Sequence, residues 1–167
     1  MILDKSNFSI STKNSLFMER EQSGKTKSNI LQEIGLLLEV TVKDDIHKNV
    51  NINSFLYWVK PGILHDQYIL IKGKGDINPI GYVFWAWVDN NTLTEYLYDD
   101  KFILHPMCWN DGDNLIIVDF MCTEKTYVLS LIKSLYRSAR NKALISYKDI
   151  NICVRDKSGL VIKNNRK

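Results

Sequence analysis

One carboxylate stands where a carboxylate is costly. Asp119 interrupts the apolar run Leu115-Ile116-Ile117-Val118 on one side and Phe120-Met121 on the other. A charge in a buried strand is unfavourable unless it is paired. Asp119 therefore either faces solvent near a strand end or is held for charge and proton chemistry. Histidine is the side chain whose proton moves near neutral pH, and the chain carries His47, His65 and His105. Taken alone, His47 sits beside Asp44, Asp45 and Lys48 and reads as a surface histidine. His65 and His105 read as structural or exposed. The cysteines, Cys108, Cys122 and Cys153, are odd in number and form no Cys-x-x-Cys pair. They suggest neither a disulfide framework nor a zinc site, which fits a reducing compartment.

Charge and composition narrow the function classes. A length of 167 residues suits one compact domain, and 45% hydrophobic with 25% charged residues is ordinary for a globular protein. A net charge of +3 is too weak to argue for nucleic acid. Basic residues do cluster locally, at Lys133, Arg137, Arg140 and Lys142, and again at Arg155, Lys157, Lys163, Arg166 and Lys167. Each cluster is either a solvated face or a dock for an acidic partner. Residues 1–28 hold no apolar core of signal-peptide length. The longest apolar stretch, 79–88, is too short to span a bilayer. The expectation is a protein of the cytoplasm with no membrane span.

The elements that must position Asp119 follow from periodicity. Residues 1–27 are rich in Ser, Asn, Lys and Thr and read as a flexible N-terminal extension, with 28–167 as the folded domain. Ile30, Ile34, Leu37, Leu38 and Val42 recur at helical spacing over 29–42, with Asn29 and Gln32 as a capping box. Ile52, Phe55, Leu56 and Val59 suggest a second helix, stopped by Pro61-Gly62. Strands are expected at 68–72, 80–88, 93–98 and 115–121, joined by turns at 72–76, 89–91 and 111–113 as an antiparallel meander. The most apolar of them, 115–121, is expected to be central. A helix follows over 125–141, then a strand near 149–154 and a short return at 159–163. The fold class is α+β, a mixed, mostly antiparallel sheet flanked by helices.

That order resembles the GNAT acetyltransferase superfamily, and finer matches from Ile34 to Thr123 resemble one branch, the RTX toxin-activating lysine acyltransferases. His47 lies just beyond the first helix. Pro61-Gly62-Ile63 and Gln67-Tyr68 follow. Pro79-Ile80-Gly81-Tyr82 leads to Trp85-Ala86, and Tyr96-Leu97 precedes Asp99. Trp109-Asn110-Asp111-Gly112-Asp113 and Val118-Asp119-Phe120 complete the series in the family's order. Departures include Asp44 for a Ser, Val50 for a Trp, Cys108 for an Asp, and Cys122-Thr123-Glu124 in place of an Ala-Pro-Phe-Gly run.

The resemblance implies a chemistry. The family's catalytic pair, a His and an Asp, falls on His47 and Asp119. The donor it implies is a fatty acyl group on acyl carrier protein, with no bound cofactor or metal. The acceptor is an internal lysine of an RTX-type protoxin, and the assembly a homodimer. Trp85, Tyr96, Trp109, Gly112 and Asp113 are candidates for contact with substrate or donor, and Lys133, Arg137 and Arg140 for a dock for the acidic carrier. Cys122, three residues past Asp119, could serve as a nucleophile forming an acyl-thioester, although a small core residue is the better reading. Two other functions fit the same chain: an enzyme of this fold using acyl-CoA on another amine, and a non-catalytic relative that binds the toxin. The loop Cys122-Thr123-Glu124-Lys125 lacks the Gly-rich pyrophosphate cradle, which argues against acyl-CoA.

Overall fold

The computed structural model describes residues 8–11, 25–43, 49–73, 79–123, 133, 137 and 150–166. Its elements are β1 (Phe8–Ser11), α1 (Lys27–Thr41), α2 (Ile52–Leu64), β2 (Tyr68–Gly73), β3 (Pro79–Val88), α3 (Asn90–Tyr98), β4 (Asn114–Cys122), β5 (Cys153–Arg155) and β6 (Val161–Asn164). The first four strands form one antiparallel sheet in the order β1-β2-β3-β4, and β5 pairs with β6. Parallel bridges at Trp87–Asn110 and Ile116–Asn151 make the arrangement mixed. The α+β class is as the sequence implied.

Each helix starts on a side-chain cap. The Thr26 hydroxyl accepts from the Asn29 amide at 3.2 Å, so the cap of α1 is Thr26 rather than the expected Asn29. Leu37 and Val40 are fully buried on its inner face. Asn51 opens α2, its side chain accepting from the Asn53 amide at 2.8 Å. Phe55, Val59 and Ile63, four apart, bury that helix against the sheet.

Pro61-Gly62 does not stop α2, which runs on to Leu64. Pro61 sits in the last turn, where only one interior bond, to the Tyr57 carbonyl, is forgone. Gly62 has a packing role. A Cβ there would lie 2.3 and 2.5 Å from carbons of the Phe84 ring and 3.0 Å from Trp109. Its absence lets α2 sit directly on β3.

The strand expected at 93–98 is a helix. Asp89 accepts from the Thr92 amide at 2.7 Å and caps α3, and these hydrogen bonds hold its carboxyl below the usual aspartate range. Leu93, Tyr96 and Leu97 then fall at three-and-four spacing, a helical stripe. The meander survives as β2-β3-β4, with α3 inserted between β3 and β4. The strands with a named strand on each side are β2, between β1 and β3, and β3, between β2 and β4. The expected central strand, β4, has β3 on one edge and, among the described residues, the Asn151 bridge on the other.

Two described pieces fall inside the stretch read as an extension. Phe8–Ser11 pairs with β2. Lys25 donates to Glu33 at 3.1 Å and to the Ile63 carbonyl at 2.7 Å, and it is ion-paired to Asp66. Glu33 is 1% exposed, so Lys25 neutralises a buried charge. Burial, followed by the hydrogen bond and charge of Glu33 and the charge of Asp66, pushes the Tyr68 hydroxyl upward.

The sheet separates two cores. Tyr82, Phe84, Ala86 and Val88 join α1 and α2 on one face, while Val83 and Trp85 join Ile69, Ile71, Leu115 and Ile117 on the other.

Candidate active site

A β-bulge decides where Asp119 points. On β3 the two cores alternate without interruption from Tyr82 to Val88. On β4 they do not: Phe84 pairs with Asp119 and Trp85 with Ile117, leaving Val118 with no partner. Leu115 and Ile117 belong to the Trp85 core, and so do Phe120 and Cys122 beyond the bulge. Ile116, Val118 and Met121 pack on the helix side. The extra residue Val118 thus shifts the alternation by one and swings Asp119 to the side of α2. Strict alternation would have placed it with Trp85.

There the carboxylate is held at both oxygens. The Tyr82 hydroxyl donates to Oδ2 at 2.9 Å, and the Phe120 amide donates to Oδ1 at 2.8 Å. Tyr82 is fully buried, and the Trp58 ring lies 6.0 Å from it, tilted. Trp58 also meets Phe84 edge-on at 5.2 Å and Phe55 at 5.6 Å. An aromatic stack anchored in the core therefore fixes the group that fixes Asp119.

Asp119 opens onto a cleft of about 690 Å³. Its walls are Asn53, Ser54, Tyr57 and Trp58 from α2, Tyr96 from α3, Phe102, Ile103 and Leu104 from the following loop, Val118 beside Asp119, and Arg155 from β5. The volume is in the range of small-molecule sites, and the lining is largely apolar with a few polar groups. Tyr96 is tied in twice: its hydroxyl donates to the Ile117 carbonyl at 2.7 Å and accepts from the Cys153 amide at 2.8 Å. The Arg155 guanidinium lies 5.3 Å from the Tyr96 ring centre and 5.6 Å from that of Phe102. It donates to the Tyr96 carbonyl, and to the Asp99 carbonyl at 3.1 Å. Its Nε is buried with no hydrogen-bond partner among the described residues. Among the described residues the cleft is aromatic, with the Asp119 carboxylate and the Arg155 guanidinium in its wall.

The other residues singled out in the sequence lie as follows. His47 and Arg140 fall outside the described residues. Lys133 and Arg137 are helical and exposed. Trp85 is 2% exposed and belongs to the core on the opposite sheet face, so it does not line this cleft. Trp109 is fully buried, edge-on to Phe84 at 6.3 Å, and is likewise a core residue. A Cβ on Gly112 would lie 2.3 Å from the Val88 carbonyl, so Gly112 lets the turn before β4 cross the end of β3. Asp113 is exposed in that same turn, near the start of β4. Cys122 packs with the Trp85 core, away from the face that carries Asp119. Among the described residues no group of His, Cys, Asp or Glu is arranged to hold a metal, and no helix is long and apolar enough to cross a membrane.

Sequence reasoning missed Trp58, Phe102 and Arg155 as parts of one site. Trp58 was hidden within an apolar helix stripe. In the sequence Arg155 reads as part of a basic C-terminus, whereas it stands two residues from Cys153 on a strand that bonds to α3.

Comparison with known proteins gives this cleft a family. The chain is 30% identical over 97 residues to the RTX-II toxin-activating lysine-acyltransferase ApxIIC of Actinobacillus pleuropneumoniae, a stretch covering 58% of this chain and 57% of that protein. The aligned part thus spans little more than half the relative's length. The model of the HlyC family, described as the RTX toxin acyltransferase family, matches residues 24–155. That match runs from the residue before Lys25 to Arg155, taking in every wall of the cleft, and the chain belongs to the RTX toxin acyltransferase family.

Proposed function

We propose that this protein is a lysine acyltransferase that moves a fatty acyl group from acyl carrier protein to internal lysines of an RTX-type protoxin. The observation that carries the reading is Asp119, turned by the bulge into an aromatic cleft whose walls all lie within the family match. His47 is its partner in this reading. Asn53 and Ser54 line the cleft with Asp119.

The chemistry needs a base. A lysine amine has a reference pKa near 10.4, so at pH 7 only about one in two thousand is neutral and nucleophilic. His47 takes the proton as the amine attacks the thioester carbonyl. Asp119 orients the imidazole and stabilises its charged form. As the carbon–sulfur bond breaks, the proton passes to the departing thiolate. The products are an amide-linked acyl lysine and free carrier thiol, and no cofactor is consumed. The apolar walls suit a fatty chain, and the exposed Lys133 and Arg137, with Arg140, offer an acidic carrier a cationic dock.

The same reading puts the protein in the cytoplasm as a homodimer, and the exposed Leu31 and Leu38 on α1 with Val42 at its C-cap support an apolar contact between two copies. The acyltransferase domain in this reading is 28–167, with Phe8–Ser11 and Lys25 of the preceding stretch joined to it through β2 and through Glu33 and Ile63. The deciding experiment is co-expression with an RTX protoxin and acyl carrier protein, followed by intact-mass and peptide mapping of the toxin. Unmodified lysines beside a folded enzyme refute the proposal. Labelling from acyl-CoA alone would move the donor to the alternative class.

A further inference from the structure

Beyond the Ile116–Asn151 bridge the parallel ladder between β4 and the chain leading into β5 is interrupted, and a side chain occupies the place of its next rung. At the bridge the pattern is regular. The Asn151 amide donates to the Leu115 carbonyl at 2.9 Å, and the Ile117 amide donates to the Asn151 carbonyl at 3.0 Å. A parallel ladder continues two residues on, so the next rung would run from the Cys153 amide to the Ile117 carbonyl. Both groups are instead bonded to the Tyr96 hydroxyl, at 2.8 and 2.7 Å. For ordinary angles at a hydroxyl oxygen this sets the two backbone atoms about 4.5 Å apart rather than about 2.9 Å.

The site of insertion is not arbitrary. Continuing the register brings Cys153 opposite Val118, the unpartnered residue of the bulge. The hydroxyl and the bulge therefore act at one point, both turning the β4 edge out of line with β5. From that point the cleft is walled by Val118 and Asp119 on one strand and Arg155 on the other, with Tyr96 between them. Tyr96 is itself clamped. Arg155 bonds the Tyr96 carbonyl and stacks on its ring. Asn164 of β6 donates to the Leu97 carbonyl at 2.8 Å, and the Lys101 amide donates to the Gly159 carbonyl at 2.8 Å. The β5–β6 hairpin thus holds α3, and α3 holds the hydroxyl between the strands.

We infer that Tyr96 is a positioning residue that spaces β4 from β5 and so sets the width of the cleft for the acyl chain. Its hydroxyl satisfies two backbone groups whose direct pairing would draw the strands together. The acyl-chain assignment rests on the acyltransferase reading above; the spacing itself does not.

The test is Tyr96→Leu in the full chain, with Tyr96→Phe beside it in case the first fails to fold. Crystal structures of parent and variant read the spacing without reference to activity. In Tyr96→Leu the Cys153 amide is expected to close on the Ile117 carbonyl at a direct bonding distance. Strands that stay spread in the folded variant overturn the inference. Kinetics with myristoyl- and acetyl-loaded acyl carrier protein read the consequence. The KM for the myristoyl donor is expected to rise about tenfold or more, with kcat and the acetyl donor much less affected. Tyr96→Phe should show a smaller change in the same direction. A lowered melting temperature with parental KM for both donors would mean that the hydroxyl serves stability alone, and the width assignment fails. If the parent acylates from neither donor, the acyltransferase reading falls, while the strand spacing still decides the role of Tyr96.

Discussion

Tyr82, a tyrosine with no exposure of its own, donates its hydroxyl proton to Asp119 Oδ2 at 2.9 Å. The ring belongs to the core and the carboxylate to the cleft, so one bond joins packing to chemistry. Tyr82→Phe keeps the ring and removes the bond. A hydrogen bond to a charged group contributes about 1.5–3 kcal/mol, so the midpoint of denaturant unfolding should fall by a corresponding amount. Acylation should slow by about tenfold if the bond only orients Asp119. A variant with parental rate would show that the second bond, from Phe120, suffices.

Asp119→Asn preserves shape and removes charge. Toxin acylation should fall by about 10²–10⁴-fold, as should that of His47→Ala, since the proposed mechanism gives both residues the same proton transfer. The double variant should be little worse than either single one. Multiplicative losses, read by intact mass over time, would separate the two residues into independent roles.

Cys122→Ser should retain most activity, since the side chain packs with Trp85 on the sheet face opposite the cleft. The remaining thiols, Cys108 and Cys153, are pushed above the usual cysteine range, chiefly by burial. At pH 8 less of each is therefore thiolate than in a free cysteine, so both should alkylate slowly and speed up as pH rises. A hydroxylamine-labile acyl group on Cys122 would overturn direct transfer.

Gly62→Ala places a methyl within 2.3 Å of the Phe84 ring. Neither α2 nor β3 can yield without disturbing Trp109 or Trp58. A loss of about 1–3 kcal/mol is expected on chemical denaturation, and because Trp58 walls the cleft, donor binding should weaken as well. Lys25→Met tests a different joint. It leaves Glu33, 1% exposed, without this cation and should cost about 3–5 kcal/mol. Cutting the chain after residue 27 should therefore destabilise the protein, whereas cutting before Lys25 should spare this ion pair. Equal thermal midpoints for the two truncations would refute the role of Lys25.

Reversing charge at Lys133, Arg137 and Arg140 should raise the apparent KM for acyl carrier protein, with an effect that shrinks as salt screens it. Unchanged kinetics at low salt would place the carrier dock elsewhere.

Local order was legible in the chain wherever the signal was local. Apolar spacing set α1, α2, β2, β3 and β4 within a few residues. Asp89 misled because Asp-Asn-Asn is both turn chemistry and a helix cap, and only the packing of Leu93, Tyr96 and Leu97 on one side distinguishes them. Pro61 misled because a proline in a final turn forgoes one bond, which burial of Ile63 outweighs.

By itself the sequence determined that an aspartate sits in an apolar strand, that the fold is α+β, and that the ordered motifs from Ile34 to Thr123 resemble one family. The tertiary structure alone decided which way Asp119 faces. Alternation from Leu115 through Ile117 assigns Asp119 to the Trp85 side, and no residue type in 115–121 announces a bulge. Val118 is extruded because the register is set by two strands together: Trp85 opposite Ile117 and Phe84 opposite Asp119 keep β3 in phase with both cores, and β4 must absorb the odd residue. The same holds for Tyr96, whose hydroxyl finds Ile117 and Cys153 only once α3, β4 and β5 have converged.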